Sequence, residues 1–226
     1  CGAGGSTTNL ATRLGIYVET VKQRAERAQI VATYDYKDEA GQFIYQTVRF
    51  NPKDFKQRRP DGVNGWAWNL TGVKRVLYRL PELRATTGRV YIAEGEKDVD
   101  NLRAIGVTAT CNPEGASKSG RSKWYPDLYN PPLSGREVVL LPDNDEAGNN
   151  HSSYVALSLQ GCASLVKILK LPGLPNKGDV SDWLLAGGTR EELESLADEC
   201  PEWATPQEPQ GLALFSESDS GNALMF

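Results

Sequence analysis

The sequence predicts an α/β fold in which a parallel sheet flanked by helices follows a smaller β-rich unit. Two stretches carry this prediction, residues 89–102 (RVYIAEGEKDVDNL) and residues 136–150 (REVVLLPDNDEAGNN). In each, a continuous apolar run leads to acidic residues and then to helix-forming residues. Such runs are typical of strands buried on both faces of a parallel sheet.

Acidic residues follow both predicted strands at the point where each strand ends. Glu94 comes after the first, and Asp143 and Asp145 come after the second. Because sites in parallel sheets lie beyond the carboxyl ends of the strands, we expect these three carboxylates to converge. Three like charges repel, so a bound cation is expected. Oxygen ligands without His or Cys indicate Mg²⁺ or Mn²⁺.

The part of the chain before residue 89 predicts a β-hairpin and a basic segment. Residues 29–36 and 42–50 are rich in β-branched and aromatic side chains around the turn KDEAG, which is typical of a hairpin. Residues 51–80 are expected to be mostly loop. Seven Lys and Arg lie between positions 53 and 79, interleaved with Phe55, Trp66, Trp68 and Tyr78. This suits a groove for single-stranded nucleic acid, although each tryptophan taken singly fits slightly better as an anchor in the core or at a subdomain interface.

Further elements are expected after Gly95 in chain order: a helix, a strand at 107–111, and a glycine-rich basic loop. The loop either cradles phosphates through its backbone or is an ordinary connection. A helix carrying His151, expected to be exposed, follows the Asp pair, and a strand follows at 164–171. Of Asp179 and Asp182, one is expected to cap the next helix and the other to face the metals. Thr189 is a plausible N-cap for the last helix.

Composition restricts the cellular compartment and the binding partners that are expected for the chain. The net charge of the 226 residues is -4, but residues 190–226 hold nine acidic side chains and one basic, so the rest carries +4. A polyanionic partner is therefore reasonable for the basic segment. No stretch approaches the roughly 20 apolar residues of a membrane span, and no secretory signal is expected. Four widely spaced cysteines favour reduced thiols and a cytoplasmic location.

The ordered acidic motifs resemble the Toprim domain, which DnaG-type primases, topoisomerases and some nucleases share. The resemblance runs from Arg89 to Gly188 and consists of EG after the first strand, DxDxAG after a later strand and GDVSDWL further on. It implies a Rossmann-like parallel sheet. Residues 29–85, with the hairpin, the closing Arg49 and a Lys-Arg-x-Leu-Tyr segment, resemble the basic N-terminal subdomain of DnaG-type primase cores. Residues 1–28 resemble the end of the zinc ribbon that precedes many phage and mobile-element primase cores, as a remnant or a linker after it.

The resemblance implies a division of the chain and a set of site residues. The expected segments are 1–28 (ribbon remnant or linker), 29–85 (basic subdomain), 86–188 (Toprim domain), 189–204 (C-terminal helix) and 205–226 (acidic tail). Expected metal ligands are Glu94, Asp143 and Asp145, helped by Asp179 or Asp182, with the first three also catalytic. Residues expected to contact nucleic acid or nucleotide are Arg49, Lys56, Arg58, Arg59, Lys74, Lys118 and Lys123, with Lys53 and Arg58 as alternatives to Lys56.

The function implied is that of a DNA primase, which makes short RNA primers on single-stranded DNA from NTPs. A replicative helicase, fused or separate, is the expected partner. Two alternatives share the same acidic set: a Toprim nuclease or topoisomerase-like enzyme, and a degenerate, non-catalytic DNA-binding module that serves a helicase. The single histidine and the lack of a Ser-His or Cys-His pattern argue against a protein nucleophile.

Overall fold

The computed structural model describes residues 29–115 and 123–205, in which an antiparallel and a parallel sheet share one core. The expectations for residues 1–28 and 206–226, and for Lys118, lie outside the described residues. The antiparallel sheet contains β1 (Gln29–Lys37), β2 (Phe43–Asn51), β3 (Asp54–Pro60) and β4 (Trp66–Ala67), in that order. The predicted hairpin is β1 and β2.

The segment 51–80, expected to be mostly loop, contains a strand at residues 54–60 that the sequence pattern did not predict. Five of them pair with β2, from Asp54 opposite Phe50 to Arg58 opposite Gln46. The charged composition hid this strand, since its stability comes from pairing with β2 and not from an apolar pattern of its own.

The parallel sheet confirms the predicted α/β architecture. Its strands are β5 (Val90–Ile92), β6 (Ala109–Thr110), β7 (Glu137–Leu140) and β8 (Leu165–Ile168), in the order β6-β5-β7-β8. β6 and β8 are shorter than expected. The helices are α1 (Leu80–Arg84), α2 (Glu96–Ala104), α3 (Pro126–Tyr129), a 3₁₀ turn (Pro131–Leu133), α4 (Glu146–Leu159), α5 (Val180–Leu185) and α6 (Arg190–Glu199).

Three tyrosines join the two sheets. The ring of Tyr36 on β1 stacks on Tyr45 of β2 at 4.4 Å and lies 5.2 Å from the ring of Tyr78. The Tyr36 hydroxyl donates to Glu96 Oε1 at 2.8 Å, at the first residue of α2. One face of the antiparallel sheet is therefore buried toward the parallel sheet. We call this the inner face, and it includes Tyr34, Tyr36, Tyr45 and Thr47; the opposite face is the outer face.

His151 is buried, contrary to expectation. It shares the inward stripe of α4 with Val155 and Leu159, and its Nε2 lies 3.2 Å from Asn112 Oδ1. Burial lowers the pKa of His151 to about 4. The imidazole is therefore neutral and structural at physiological pH.

Among the described residues, no helix has the length and apolar content needed to cross a membrane. Cys111, Cys162 and Cys200 are free thiols.

Arg89 fastens the C-terminal helix to the parallel sheet. Its guanidinium contacts Glu194 at 2.6 Å and Asp198 at 2.5 Å on α6, and Glu137 at 3.0 Å on β7. The side chain is only 17% exposed. Lys167 also contacts Glu137, at 3.3 Å. Removal of the largely buried Arg89 cation would therefore leave Glu194 and Asp198 close together without their shared partner.

We expect Arg89→Ala to lower the free energy of unfolding by about 2–4 kcal/mol, as for one partner removed from a buried ion pair. Chemical denaturation followed by circular dichroism measures this. The matched control is Arg84→Ala, which removes an exposed pair with Glu39 and should cost about 1 kcal/mol or less. Equal losses in the two variants would show that the Arg89 network does not hold α6.

Candidate active site

Glu94 and Asp143 meet because β5 and β7 are adjacent and parallel. Ile92 pairs with Leu140, so the two chains leave the sheet side by side. Glu94 Oε1 accepts a hydrogen bond from the Asp143 amide at 3.1 Å. The predicted convergence of these two residues is thus present in the fold.

Burial and repulsion disfavour the charged forms of both carboxyl groups. The pKa of Asp143 rises to about 8, first through desolvation and then through repulsion by Glu94, Asp98, Asp179 and Asp145. The pKa of Glu94 rises to about 7, mainly because burial desolvates its carboxylate. The hydrogen bond from the Asp143 amide lowers this pKa in part, and repulsion by Asp145 and Asp98 raises it. Five carboxyl groups from three segments of the chain therefore lie close enough to act on Asp143 or Glu94.

Gly148 in the first turn of α4 allows this close approach. A Cβ at this position would collide with Glu94 Oε1 and lie 2.7 Å from the Asp143 carbonyl oxygen. Asp145 is the N-cap of the same helix, and its Oδ1 accepts from the Gly148 amide at 2.9 Å. The DxDxAG motif thus combines an acidic helix cap with a glycine that leaves room for Glu94.

A second loop brings Asp179 to the cluster. The Asn144 amide donates to the Gly178 carbonyl, and the Lys177 amide donates to the Asn144 carbonyl, both at 2.9 Å. Asp179 and Asp182 then form a reciprocal capping box at the start of α5, with bonds of 2.8 and 3.1 Å. Asp179 acts electrostatically on Asp143, whereas Asp182 is exposed. Of the two, the structure brings Asp179 toward the cluster.

Asp98 also belongs to the cluster, although no role at the site was expected for it. It lies one helical turn after Glu94, in the first turn of α2, and is 6% exposed. Its Oδ1 accepts from the Ser181 amide at 3.1 Å and from the Ser181 hydroxyl. Burial raises its pKa, and repulsion by Asp179 adds to this. Its place four residues after Glu94 is visible in the sequence, but this spacing does not by itself show that the side chain is buried at the site.

The donor set suits a hard cation in its chemistry. In the two described ranges, no three His, Cys, Asp or Glu side chains stand grouped as a ready-made metal site. Glu94, Asp98 and Asp143 are nevertheless oxygen donors whose pKa values are raised. A divalent cation would relieve the repulsion that raises them.

The sheet separates the predicted basic residues into two groups. Arg49 pairs with Phe55 and interacts with Tyr34, which places it on the inner face. Gln57 pairs with Thr47 on the inner face, and Arg59, two residues further along β3, lies on that same face. Lys56 and Arg58 pair with Val48 and Gln46 and lie on the outer face.

Two further predicted basic residues, Lys74 and Lys123, are outside the strands of this sheet. Lys74 is exposed in the segment between β4 and α1. Lys123 flanks the undescribed part of the glycine-rich loop and contacts Glu114 at 3.4 Å. Neither is joined to the carboxylate cluster by a hydrogen bond or ion pair.

Comparison with solved structures relates the fold of the chain to that of primases. The chain superposes on the Aquifex aeolicus primase (zinc-binding and RNA polymerase domains) with a TM-score of 0.54 and 17% identity over 88% of its length. For the DnaG catalytic core the TM-score is 0.50, with 17% identity over 86%. The chain has a Toprim-type primase fold.

The likeness is one of fold and spans part of each protein. The chain covers 50% of the Aquifex chain and 64% of the DnaG core. The primase fragment of the bacteriophage T7 primase-helicase superposes less well, with a TM-score of 0.49, 21% identity, and 73% of this chain and 61% of that chain covered. No family profile matches the sequence, and no curated protein matches it.

We expect the metal-free stability of this Toprim-type primase fold to fall as pH rises from 6.5 to 9. The folded-state pKa values of Glu94 and Asp143, about 7 and 8, exceed their ordinary values. Protonation therefore favours the folded state, and this stability is lost as pH rises through those values. His151, with its lowered pKa, affects stability only at lower pH.

Asp143→Asn should flatten this dependence and raise stability at pH 8 by roughly 1–3 kcal/mol, since one pKa unit corresponds to about 1.4 kcal/mol. Denaturant titrations in EDTA at several pH values measure it. Asp127→Asn, which changes an exposed carboxyl group in the first turn of α3, is the control. If Asp143→Asn keeps the slope of the unaltered chain, the carboxylates are not crowded as described.

Proposed function

We propose that the chain is the catalytic core of a DNA primase that joins NTPs into a short RNA primer on single-stranded DNA. The observation that carries the proposal is the contact between Glu94 and the Asp143 amide at the carboxyl ends of β5 and β7. In a Toprim-type primase fold, this puts repelling carboxylates where a parallel sheet binds its ligands. A non-catalytic DNA-binding module would gain no function from holding these carboxylates so close together.

The proposed metal ligands are Glu94, Asp143, Asp145 and Asp179, with Asp98 beside them and Asp182 as the weaker alternative to Asp179. Bound Mg²⁺ or Mn²⁺ would supply activation of a 3′-hydroxyl and neutralise the charge on the triphosphate and its pyrophosphate leaving group. The chain's own contribution is orientation. Backbone amides hold Glu94, Asp98, Asp145 and Asp179 in fixed directions.

Basic side chains of the N-terminal sheet would hold the nucleic acid and the nucleotide. Arg49 and Arg59, on the inner face, are proposed to contact template or triphosphate phosphates near the cluster. Lys74, Lys118 and Lys123 are proposed to add positive charge around it. Such contacts give affinity and position without reading sequence. A helicase partner, fused or separate, completes the proposal.

The test is primer synthesis on a mixed-sequence single-stranded template with labelled NTPs and Mg²⁺, with and without a supplied dinucleotide. We expect the unaltered chain to incorporate nucleotides. In Asp143→Asn and Glu94→Gln the incorporation rate should fall about a hundredfold or more, because removing one positioned group from an active site commonly lowers the rate by this factor. Glu82→Gln, outside the cluster, is the control. Template cleavage without incorporation would favour the nuclease or topoisomerase alternative. Template binding without either reaction would favour the non-catalytic one.

A separate variant tests the packing of the site without removing a charge. Gly148→Ala should displace the Glu94 carboxylate and lower incorporation roughly as much as Glu94→Gln does, because the added methyl group occupies its position. Ser153→Ala, on the exposed side of the same helix, should leave the rate unchanged. Full activity in Gly148→Ala would mean that Glu94 need not lie against Asp143 during the reaction.

A further inference from the structure

The outer face of the antiparallel sheet carries a continuous strip of aromatic rings and cations. From one end to the other, neighbouring side chains are in ring or cation–ring contact, in the order Phe43, Trp66, Arg58, Trp68, Phe50 and Lys56. The sheet separates these side chains from the inner face, where Tyr36 reaches α2.

Three of the four aromatic side chains in the strip are exposed, and Phe50 is half-buried. Trp68 is 49% exposed, Trp66 40% and Phe43 37%. Single exposed apolar side chains are common, but contiguous aromatic side chains rimmed by polar groups mark interaction sites. The protein therefore maintains a surface whose apolar area is left uncovered by the described residues.

Arg58 is fixed in the middle of this strip. Its Nε donates to Gln46 Oε1 at 2.8 Å, and Gln46 Nε2 donates to Asp35 Oδ1 at 2.5 Å. Its Cζ lies 4.0 Å from the ring centroid of Trp66 and 5.4 Å from that of Trp68. Only the Nε donor is taken by Gln46, so the guanidinium keeps further N–H groups for an anion between two flat rings.

Charge identifies the occupant of this surface. Lys56 extends the strip beyond Phe50, and its contact with Asp54 is 3.9 Å long between largely exposed side chains, too weak to neutralise it. Exposed rings that alternate with cations match a single-stranded nucleic acid, whose bases stack while its phosphates meet the positive charges. An apolar protein partner would leave Arg58 and Lys56 facing an uncharged surface.

We propose that the outer face of β2–β4 binds single-stranded DNA by stacking bases on Trp68 and Trp66, with phosphates on Arg58 and Lys56. The proposal rests on the primase function proposed above and specifies where part of the template lies. Lys56 and Arg58 then hold template away from the carboxylate cluster, on the far side of the sheet from Arg49. The template passes the edge of this sheet to reach the cluster.

The test measures oligonucleotide binding by fluorescence anisotropy in EDTA at fixed salt, with no nucleotide present. The probes are a labelled oligo(dT) and an abasic oligonucleotide of equal length. The unaltered chain should bind oligo(dT) at least tenfold more tightly than the abasic strand, since stacking on an aromatic side chain commonly contributes such factors per base. Equal affinities for the two probes would overturn the proposal without any variant.

Variants locate the stacking surface. Trp68→Ala should weaken oligo(dT) binding about tenfold and leave abasic binding nearly unchanged, and Trp68→Phe should retain most of the affinity. Tyr154→Ala, which removes a 43% exposed ring on α4, is the matched control. Lys56→Gln should reduce the slope of log affinity against log salt concentration by about 0.7, which is the contribution of one phosphate contact on a single strand. Unchanged oligo(dT) affinity in a folded Trp68→Ala variant would overturn the proposal.

Primer synthesis by the same proteins separates this proposal from the proposed function. Binding through Trp68 without any nucleotide incorporation would overturn the primase function and leave the stacking surface standing. Incorporation that is unaffected by Trp68→Ala, with unchanged oligo(dT) affinity, would overturn the stacking surface and leave the primase function standing.

Discussion

The site depends on the enforced proximity of Glu94 and Asp143 at the ends of adjacent parallel strands. The register of β5 and β7 fixes where the two chains leave the sheet, and Gly148 removes the side chain that would separate them. Burial then withdraws the water that would screen their charges, so both pKa values rise toward neutrality. The fold thus holds carboxyl groups in a state that a cation or a proton stabilises.

Backbone amides keep the crowded carboxylates in place. Asp145 and Asp179 cap the first turns of α4 and α5, and Glu94 accepts from the Asp143 amide. A helix N-terminus favours negative charge, which offsets part of the repulsion. Capping and metal binding are therefore compatible roles here, because a carboxylate has a second oxygen and further lone pairs after one amide bond.

Much of this arrangement could be predicted from the sequence, because local patterns encode it. The apolar runs before Glu94 and Asp143 predicted two buried parallel strands, and Thr189 predicted the start of α6. Asp98 and His151 were misjudged because helical residues reveal which side they bury only when the neighbouring elements are known. β3 was missed because its hydrogen bonds depend on β2. The division of Arg49 from Lys56 and Arg58 required the register of that pairing.

The most direct measurement is the change in thermal unfolding temperature at pH 8 when EDTA is replaced by millimolar Mg²⁺ or Mn²⁺. A cation that binds the crowded carboxylates of the folded chain stabilises it by mass action. The account predicts a rise of several degrees for the unaltered chain and a much smaller rise for Asp143→Asn. Equal rises in both proteins, or none in the unaltered chain, would contradict it.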